Sequence, residues 1–463
     1  TRSFPYQVRS KKLFPHFPTH MLLLERASTS SKYYRFLLTT QNVQEKRSVL
    51  SRDTLICRRR GKDRALLPRC ANVNLGETKN GDETVREEDQ RVFEVVELFS
   101  GIGGMRLALE RANVFMNDSS EVHFTAIDNN CNANAVYKAN FMNLSSETRV
   151  LEGNIESFDV EHVLASSVDG CEILTLSPPC QPYTRKGKNR GEKDARSTAL
   201  ARIIDIFEDA GEEKEESVGT RTTALPKRIL LENVVGFELG TERERFIEAL
   251  KKNEYHVKEF VGLSPETMLG VPVKRPRYYL LARRKELFGS FDIDGDDPPW
   301  MSSQNVTTAV EDIAQYLDKE VDIGLDVEEK KIKYWKFFDV VNVSSSSSKN
   351  NTDNVASTFT SGYGKTVFSG SFILKNGDIA KRDVNANNAY RLVKDDDNES
   401  DEDFAKRVSK SVRYFSPTEL CRLHGIKDDF VFPPSLSMRQ QYKLIGNGIS
   451  VHVVAKLLEY LFK

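Results

Sequence analysis

The sequence predicts an α/β protein with a doubly wound, mostly parallel sheet and a smaller domain inserted late in the chain. Three observations predict it. Short apolar runs alternate with stretches of helical periodicity from Val92 onward, the pattern of a sheet flanked by helices. The first run ends in a glycine-rich turn, Phe99-Ser100-Gly101-Ile102-Gly103-Gly104, which is how an open α/β sheet begins its ligand site. From 290 to about 410 the alternation fades into polar sequence, and it returns from Ser411. The chain therefore divides into 1–90, 91–289, 290–410 and 411–463.

Charge and cysteine content narrow the class. Apolar residues make up 39% and charged residues 29% of the 463, enough to bury a large core. The net charge of −1 hides an asymmetry, because residues 1–70 hold 16 Lys and Arg against 4 Asp and Glu. A polyanion bound by the main body must therefore meet a local basic patch. The six cysteines, Cys57, Cys70, Cys131, Cys171, Cys180 and Cys421, form no C-x-x-C pair, and no histidine is spaced as a metal ligand. That argues against structural zinc and a disulfide framework and for a reducing compartment, cytoplasmic or nuclear. No metal is expected. No apolar run approaches the roughly 18 residues that span a membrane, so no membrane partner is expected either.

In chain order, residues 1–90 are rich in Arg, Ser and Phe and poor in acids up to Arg69. This is the composition of a mitochondrial or plastid transit peptide, or of a disordered extension. Arg58-Arg59-Arg60 equally suits a nuclear signal or a nucleic-acid contact. Glu77 to Gln90 is a polar linker. Strands are expected over 93–98, 122–127, 149–151, 173–176, 228–232, 257–263 and 278–282, with helices over 105–112 and 132–141. Short β-like pieces follow at Thr366–Phe368 and Ser371–Leu374. The low-complexity runs Glu208–Glu216, Ser344–Asn351 and Asp395–Asp403 suit solvated loops. The closing stretch from Ile449 to Phe462 carries Ile449, Val453, Leu457 and Tyr460 at helical spacing, a helix packed on the core.

Five constellations carry chemistry. Cys180 lies in Ser177-Pro178-Pro179-Cys180-Gln181-Pro182-Tyr183-Thr184, just past the buried run Ile173–Leu176. The prolines stiffen this loop, so Cys180 is either a small residue in a tight turn or a presented nucleophile. The glycine turn allows close approach of a ligand. Asp128 lies 27 residues after Gly101, near the ~20 expected of an acid that binds ribose hydroxyls. The spacing Phe-x-Gly-x-Gly-Gly lacks the dinucleotide pattern, so a nucleoside without phosphates, such as S-adenosylmethionine, fits better. Glu232, at the end of an apolar run, is either ion-paired or catalytic. Arg275 and Arg277 flank Pro276 and would point the same way in extended chain, toward a phosphate or a base carbonyl, unless they are surface charge. Gly446-Asn447-Gly448 precedes the last helix, with Asn447 or Ser450 as a cap or the segment as a ligand contact.

Taken in this order, the glycine turn, Ser177–Pro182, Glu232-Asn233-Val234, Arg275-Pro276-Arg277 and Gly446-Asn447-Gly448 resemble the motifs of the cytosine-5 methyltransferases over about 92–290 and 411–463. The loop Ser177–Thr184 with Arg185, and Asn233-Val234-Val235-Gly236-Phe237-Glu238, look like those of one branch. That branch is the tRNA-aspartate cytosine-38 methyltransferases, which are similar to DNA methylases but act on RNA. One departure stands out. The family usually carries Cys-Phe-Thr where this chain has Thr358-Phe359-Thr360.

The resemblance implies a class I S-adenosylmethionine-dependent fold. It makes 91–289 catalytic, 290–410 a target-recognition domain and 411–463 a return to the catalytic domain. It implies Cys180 as the nucleophile toward C6 of cytosine, Glu232 as a protonated contact at N3, and Arg275 and Arg277 as organisers of the base. Cofactor contacts are implied for Phe99, Ser100, Gly101, Gly103, Gly104, Asp128, Asn154, Ile155, Asn447 and Val451. The partner implied is tRNA, with tRNA-Asp foremost and DNA as the alternative, bound by a monomer. The target base must leave its stack to be reached.

Overall fold

A computed structural model describes residues 92–115, 121–142, 147–165, 170–179, 198–212, 225–291, 309–320, 324–343, 354–375, 379–383, 389–394 and 398–463. The expectations for 1–90, for Cys180 and the loop following it, and for Ser344–Asn351 lie outside these residues.

The first half builds one sheet. Strand β1 (Val92–Leu98) leads through the glycine turn into helix α1 (Gly104–Ala112). Then come β2 (Glu121–Asp128), α2 (Cys131–Phe141), β3 (Thr148–Glu152), α3 (Val160–Leu164), β4 (Cys171–Leu176) and α4 (Thr198–Glu212). The run closes with β5 (Arg228–Val234), α5 (Thr241–Lys252), β6 (Tyr255–Leu263), α6 (Pro265–Leu269) and β7 (Arg277–Arg284). The seven strands lie in the order β3-β2-β1-β4-β5-β7-β6. All neighbours are parallel except β7, which runs antiparallel to both β5 and β6.

Side chains alternate between the two faces of this sheet, as the twofold repeat of a strand requires. Val95, Ile173, Leu230 and Tyr279 enter one core with α1 and the C-terminal helices. Val96, Leu174, Leu231 and Leu280 enter the other with α4 and α5. Both faces are covered, which is why these strands read as nearly continuous apolar runs.

The second half adds α7 (Glu329–Ile332), β8 (Asp339–Asn342), β9 (Phe372–Leu374), β10 (Ala380–Asp383), β11 (Ala389–Leu392), α8 (Asp401–Ser411) and β12 (Val412–Arg413). These strands form a second sheet ordered β10-β11-β8-β9-β12. Helices α9 (Pro417–His424), α10 (Met438–Asn447) and α11 (Val451–Leu461) close the chain. Met438–Leu461 is long and apolar enough to cross a membrane by composition, but Gly448, Ile449 and Ser450 interrupt it. Of its most apolar window, 72% is buried inside the protein, so it serves as core.

Three local expectations are corrected. Thr366–Phe368 is a turn, not a strand. Residues 208–212 of the acidic run continue α4. Asp401–Asp403 form the first turn of α8, with Ser400 Oγ accepting from the Asp403 N–H at 3.0 Å. Acids at a helix N-terminus meet the positive end of its dipole, so an acidic run there favours helix over loop.

Candidate active site

The strand order reverses direction between β1 and β4, and an open α/β sheet binds ligands at the carboxyl ends of the strands at that point. The ends of β1, β2, β4 and β5 therefore present Phe99, Asp128, Ser177 and Glu232 along one edge. Because β7 is antiparallel, its first residue, Arg277, arrives at the same edge, with Val234 opposite it in register.

The glycine turn is tightly wound. Phe99, Gly101 and Gly103 all take left-handed backbone angles, at φ 59°, 57° and 90°. Such a conformation is strained for phenylalanine, and strain of this kind gathers at functional sites. The Phe99 carbonyl accepts from Ser177 Oγ at 3.0 Å, joining the turn to the start of the Cys180 loop. Asp128 fixes the turn from the next strand. Its carboxylate accepts from the Gly101 N–H at 2.9 Å and from the Asn130 N–H at 2.8 Å. Burial pushes its pKa up, opposed by backbone N–H groups at Asn130, Gly101 and Asn129. Asn154 Oδ1 accepts from Asn129 at 2.9 Å, and Ile155 is buried beside it. The polar groups here are one partly exposed carboxylate that accepts, and backbone N–H groups and amides that donate, with no Lys or Arg between Phe99 and Gly104 or between Asp128 and Asn134. This set suits the ribose and base of a nucleoside and is poor for phosphate.

The C-terminal segment reaches the same turn. Ile449 Cγ1 stands 2.7 Å from where a side chain on Gly104 would begin, so glycine there lets α1 and the start of α11 meet. Ser100 is buried, Val451 is buried, and Asn447 is exposed at the end of α10. The capping expectation fails: neither Asn447 nor Ser450 makes a side-chain cap, and the Gly448 N–H closes α10 on Leu444 and Ile445. A backbone closure leaves the amide of Asn447 free to face outward.

At the other end of the site, Glu232 is buried and its Oε1 lies 3.1 Å from Arg277 Nε. Burial raises the Glu232 pKa, with the charges of Arg277 and Arg275 pulling it down. The net shift is upward, toward the neutral acid, which is the form able to donate a hydrogen bond.

Arg275 and Arg277 do not share a direction. Arg275 precedes β7, and Pro276 separates it from the extended chain, so strand alternation does not apply to it. The side chain is buried. Its Nη1 donates to the Phe359 carbonyl at 2.9 Å, and its Nη2 donates to Gly446 at 3.3 Å and to Gly448. Arg275 is thus a strut joining three segments, while Arg277 carries the contact with Glu232. Thr358 supports the same segment, its Oγ1 donating to the Lys274 carbonyl at 2.8 Å. The departure from cysteine therefore supplies a stronger donor. The Thr360 carbonyl lies 2.4 Å from where a side chain on Gly446 would start.

Sequence reasoning missed two groups. Glu97, fully buried within β1, accepts from the Arg106 N–H at 3.2 Å and from the Tyr137 hydroxyl. Burial raises its pKa to about 7. It caps α1 from below the glycine turn, since Gly103 offers no side-chain cap. An acid inside an otherwise apolar buried strand was the available signal. Tyr279 stands opposite Glu232 in the β5–β7 register. It is fully buried, and its hydroxyl makes no hydrogen bond among the described residues. Cys180 lies outside the described residues, one position beyond Pro179. Among the described residues no cluster of His, Cys, Asp and Glu is arranged to hold a metal.

Comparison with known proteins agrees with this layout. Residues 93–463 match the family described as C-5 cytosine-specific DNA methylase. The human tRNA (cytosine(38)-C(5))-methyltransferase is 28% identical over 80% of this chain and 99% of its own length. Its namesake from Spodoptera frugiperda is 31% identical over the same shares. A Dictyostelium discoideum relative, 27% identical over 79% of this chain and 93% of its own, is named DNA (cytosine-5)-methyltransferase. Among solved structures, the S. pombe Dnmt2 methyltransferase superposes with a TM-score of 0.59 at 29% identity, covering 80% of this chain and 98% of that one. The doubly wound sheet is accordingly that of the class I methyltransferases, and the chain belongs to the C-5 cytosine-specific DNA methylase family as a cytosine-5 methyltransferase of the tRNA-enzyme branch.

Proposed function

We propose that this enzyme methylates C5 of a cytosine in tRNA, at position 38 in the anticodon loop of tRNA-Asp, with S-adenosylmethionine as donor. The observation that carries the substrate is that relatives named for cytosine 38 of tRNA align over 92–99% of their own length.

In this reading Asp128 would bind the ribose hydroxyls of the donor, and the turn from Phe99 to Gly104 would hold its methionine end. Asn154 and Ile155 would serve the adenine, and Asn447 and Val451 would close the site from the C-terminus. S-adenosylmethionine supplies an electrophilic methyl group. Cytosine C5 is a weak nucleophile, so the ring must first be activated. The Cys180 thiolate adds to C6, forming the Sγ–C6 bond and pushing an electron pair toward C5. Glu232, in its protonated form, donates to N3 and offsets the charge that develops there. Arg277 orients Glu232, and Arg275 holds the surrounding backbone. C5 would take the methyl group as the donor's sulfur–methyl bond breaks, the donor leaving as the neutral thioether S-adenosylhomocysteine, and C5 then loses its proton to solvent. The Sγ–C6 bond breaks as the ring double bond returns, and the thiolate is restored.

Labelled S-adenosylmethionine offered with total tRNA and, separately, with hemimethylated DNA tests the substrate. Label in tRNA, lost when cytosine 38 of tRNA-Asp is replaced, is expected. Label in DNA alone overturns the proposal.

A further inference from the structure

The second sheet carries an exposed aromatic surface that the catalytic groups do not use. Phe337 and Phe368 come from segments 31 residues apart, yet their rings lie 5.5 Å apart at 57°, and they are 58% and 65% exposed. Tyr334 is 44% exposed. It lies three residues before Phe337 in a 3-10 turn, and that spacing puts both rings on one face. Trp335, between them, turns inward and packs edge-on against Phe404 at 4.5 Å. The sequence thus buries one aromatic and presents its two neighbours.

The surface is held rigidly. The buried Lys331 Nζ donates to the Gly364 carbonyl at 2.5 Å and to Glu328 Oε2 at 2.6 Å, pinning the loop before Phe368 to the turn before Phe337. Val367 is buried beneath it. The segments that carry the rings also carry the exposed Lys330, Lys333, Lys336 and Lys365, with Lys333 Nζ 5.1 Å from the Tyr334 ring centre and Lys336 Nζ 5.2 Å from that of Trp335. The same segments hold Glu328, paired with Lys331 at 2.6 Å, and Glu329. Asp401 pairs with Lys394 at 2.6 Å and with Lys336 at 3.3 Å; in the second pair both side chains are about 60% exposed, so a phosphate can replace Asp401 at Lys336.

The surface is also wired to the site. The Ser369 carbonyl, next to Phe368, accepts from the Thr360 N–H at 3.0 Å, and the adjacent Phe359 carbonyl holds Arg275. Flat rings ringed by cations match unstacked nucleotides, whose bases stack on aromatics while lysines meet the phosphates. A single exposed aromatic needs no explanation, but a rigid pair from distant segments does.

We infer that Phe337, Phe368 and Tyr334 form a stacking platform for bases of the RNA strand flanking the target cytosine. The inference rests on the RNA reading above. The full-length enzyme is assayed at steady state with tRNA as wild type, as Phe337→Ala/Phe368→Ala, as Phe368→Trp, and as Leu287→Ala, an exposed control beyond the far end of β7. The double alanine variant should raise KM for tRNA about tenfold, the effect of losing one or two base–aromatic stacks. Its kcat should fall far less, the tryptophan variant should stay near wild type, and the control should be unchanged. A double variant with KM within twofold of wild type overturns the platform while the RNA reading stands. That outcome would hand the patch to a protein partner. A wild type that leaves tRNA unmethylated overturns both. As a second readout that needs no variant, an anticodon-loop RNA carrying 2-aminopurine beside the target should lose fluorescence on binding; unchanged or increased emission also overturns the platform.

Discussion

Replacing Arg275 by methionine separates a structural strut from a base contact. The guanidinium is buried and donates to three backbone carbonyls, those of Phe359, Gly446 and Gly448. Methionine fills most of the volume and removes every donor. Each orphaned buried carbonyl costs about 1–3 kcal/mol, less whatever an entering water recovers. The sum is about 3–5 kcal/mol, a large share of the ~5–15 kcal/mol that holds a domain together. Arg277→Met is the comparison. It removes the partner of Glu232, but the carboxyl can take up a proton, so the cost should be about 1 kcal/mol. Urea unfolding at matched slope reads both. A large midpoint shift for Arg275→Met and a small one for Arg277→Met are expected, with methyl transfer lost in both. Equal shifts, or a larger one for Arg277→Met, would refute the assignment of Arg275 as the strut.

Asp128→Ala should weaken S-adenosylmethionine binding by about 10- to 100-fold, the value of a charge-assisted hydrogen bond, as measured by calorimetry; unchanged affinity would remove Asp128 from the donor site. Glu97 makes a pH prediction. Its pKa rises from 4.5 to about 7 in the folded protein, so the folded state holds a proton that the unfolded state has released. Stability should therefore fall as pH rises from about 4.5 to 7, by roughly 3 kcal/mol from this group. Glu97→Gln should flatten that part of the profile, and parallel profiles would contradict it. Glu232→Gln should keep base binding while lowering kcat at least about 100-fold, the contribution of a positioned acid; a kcat close to wild type would exclude the acid role.

The large sheet was legible in the sequence because its strands are buried on both faces and so read as apolar runs. The parallel pairing of β4 with β5 accords with the mostly parallel sheet expected. The reversal of β7 was not legible, since pairing direction leaves no mark on composition. Of the second sheet only β9 was legible, as the run Ser371–Leu374, because the sheet's strands are two to four residues long. Its β8 and β9 pair across 29 residues of intervening chain, a non-local contact that no short window contains. The acidic runs misled for a physical reason: Asp401–Asp403 look like a solvated loop by charge, yet serve as the favoured first turn of α8.

At the candidate site, the placement of Glu232, Arg277, Asp128 and the glycine turn along one sheet edge was readable because polar residues and glycines stand at the ends of apolar runs. The role of Arg275 was not, because its partners are backbone carbonyls 84 to 173 positions away. Glu97 was overlooked for a similar reason. Its purpose appears only once Arg106 and Tyr137 close over it.

The most direct test of the account is methyl transfer from labelled S-adenosylmethionine to tRNA-Asp by the wild-type enzyme and by Cys180→Ala, with 5-fluorocytosine at position 38 as a trap. Fluorine at C5 cannot leave as a proton does, so the cysteine cannot be eliminated. Label in tRNA and a denaturation-resistant protein–RNA adduct are expected with wild type, and neither with Cys180→Ala. Undiminished transfer by Cys180→Ala, or turnover without any trapped adduct in the wild type, would contradict the covalent mechanism at its centre.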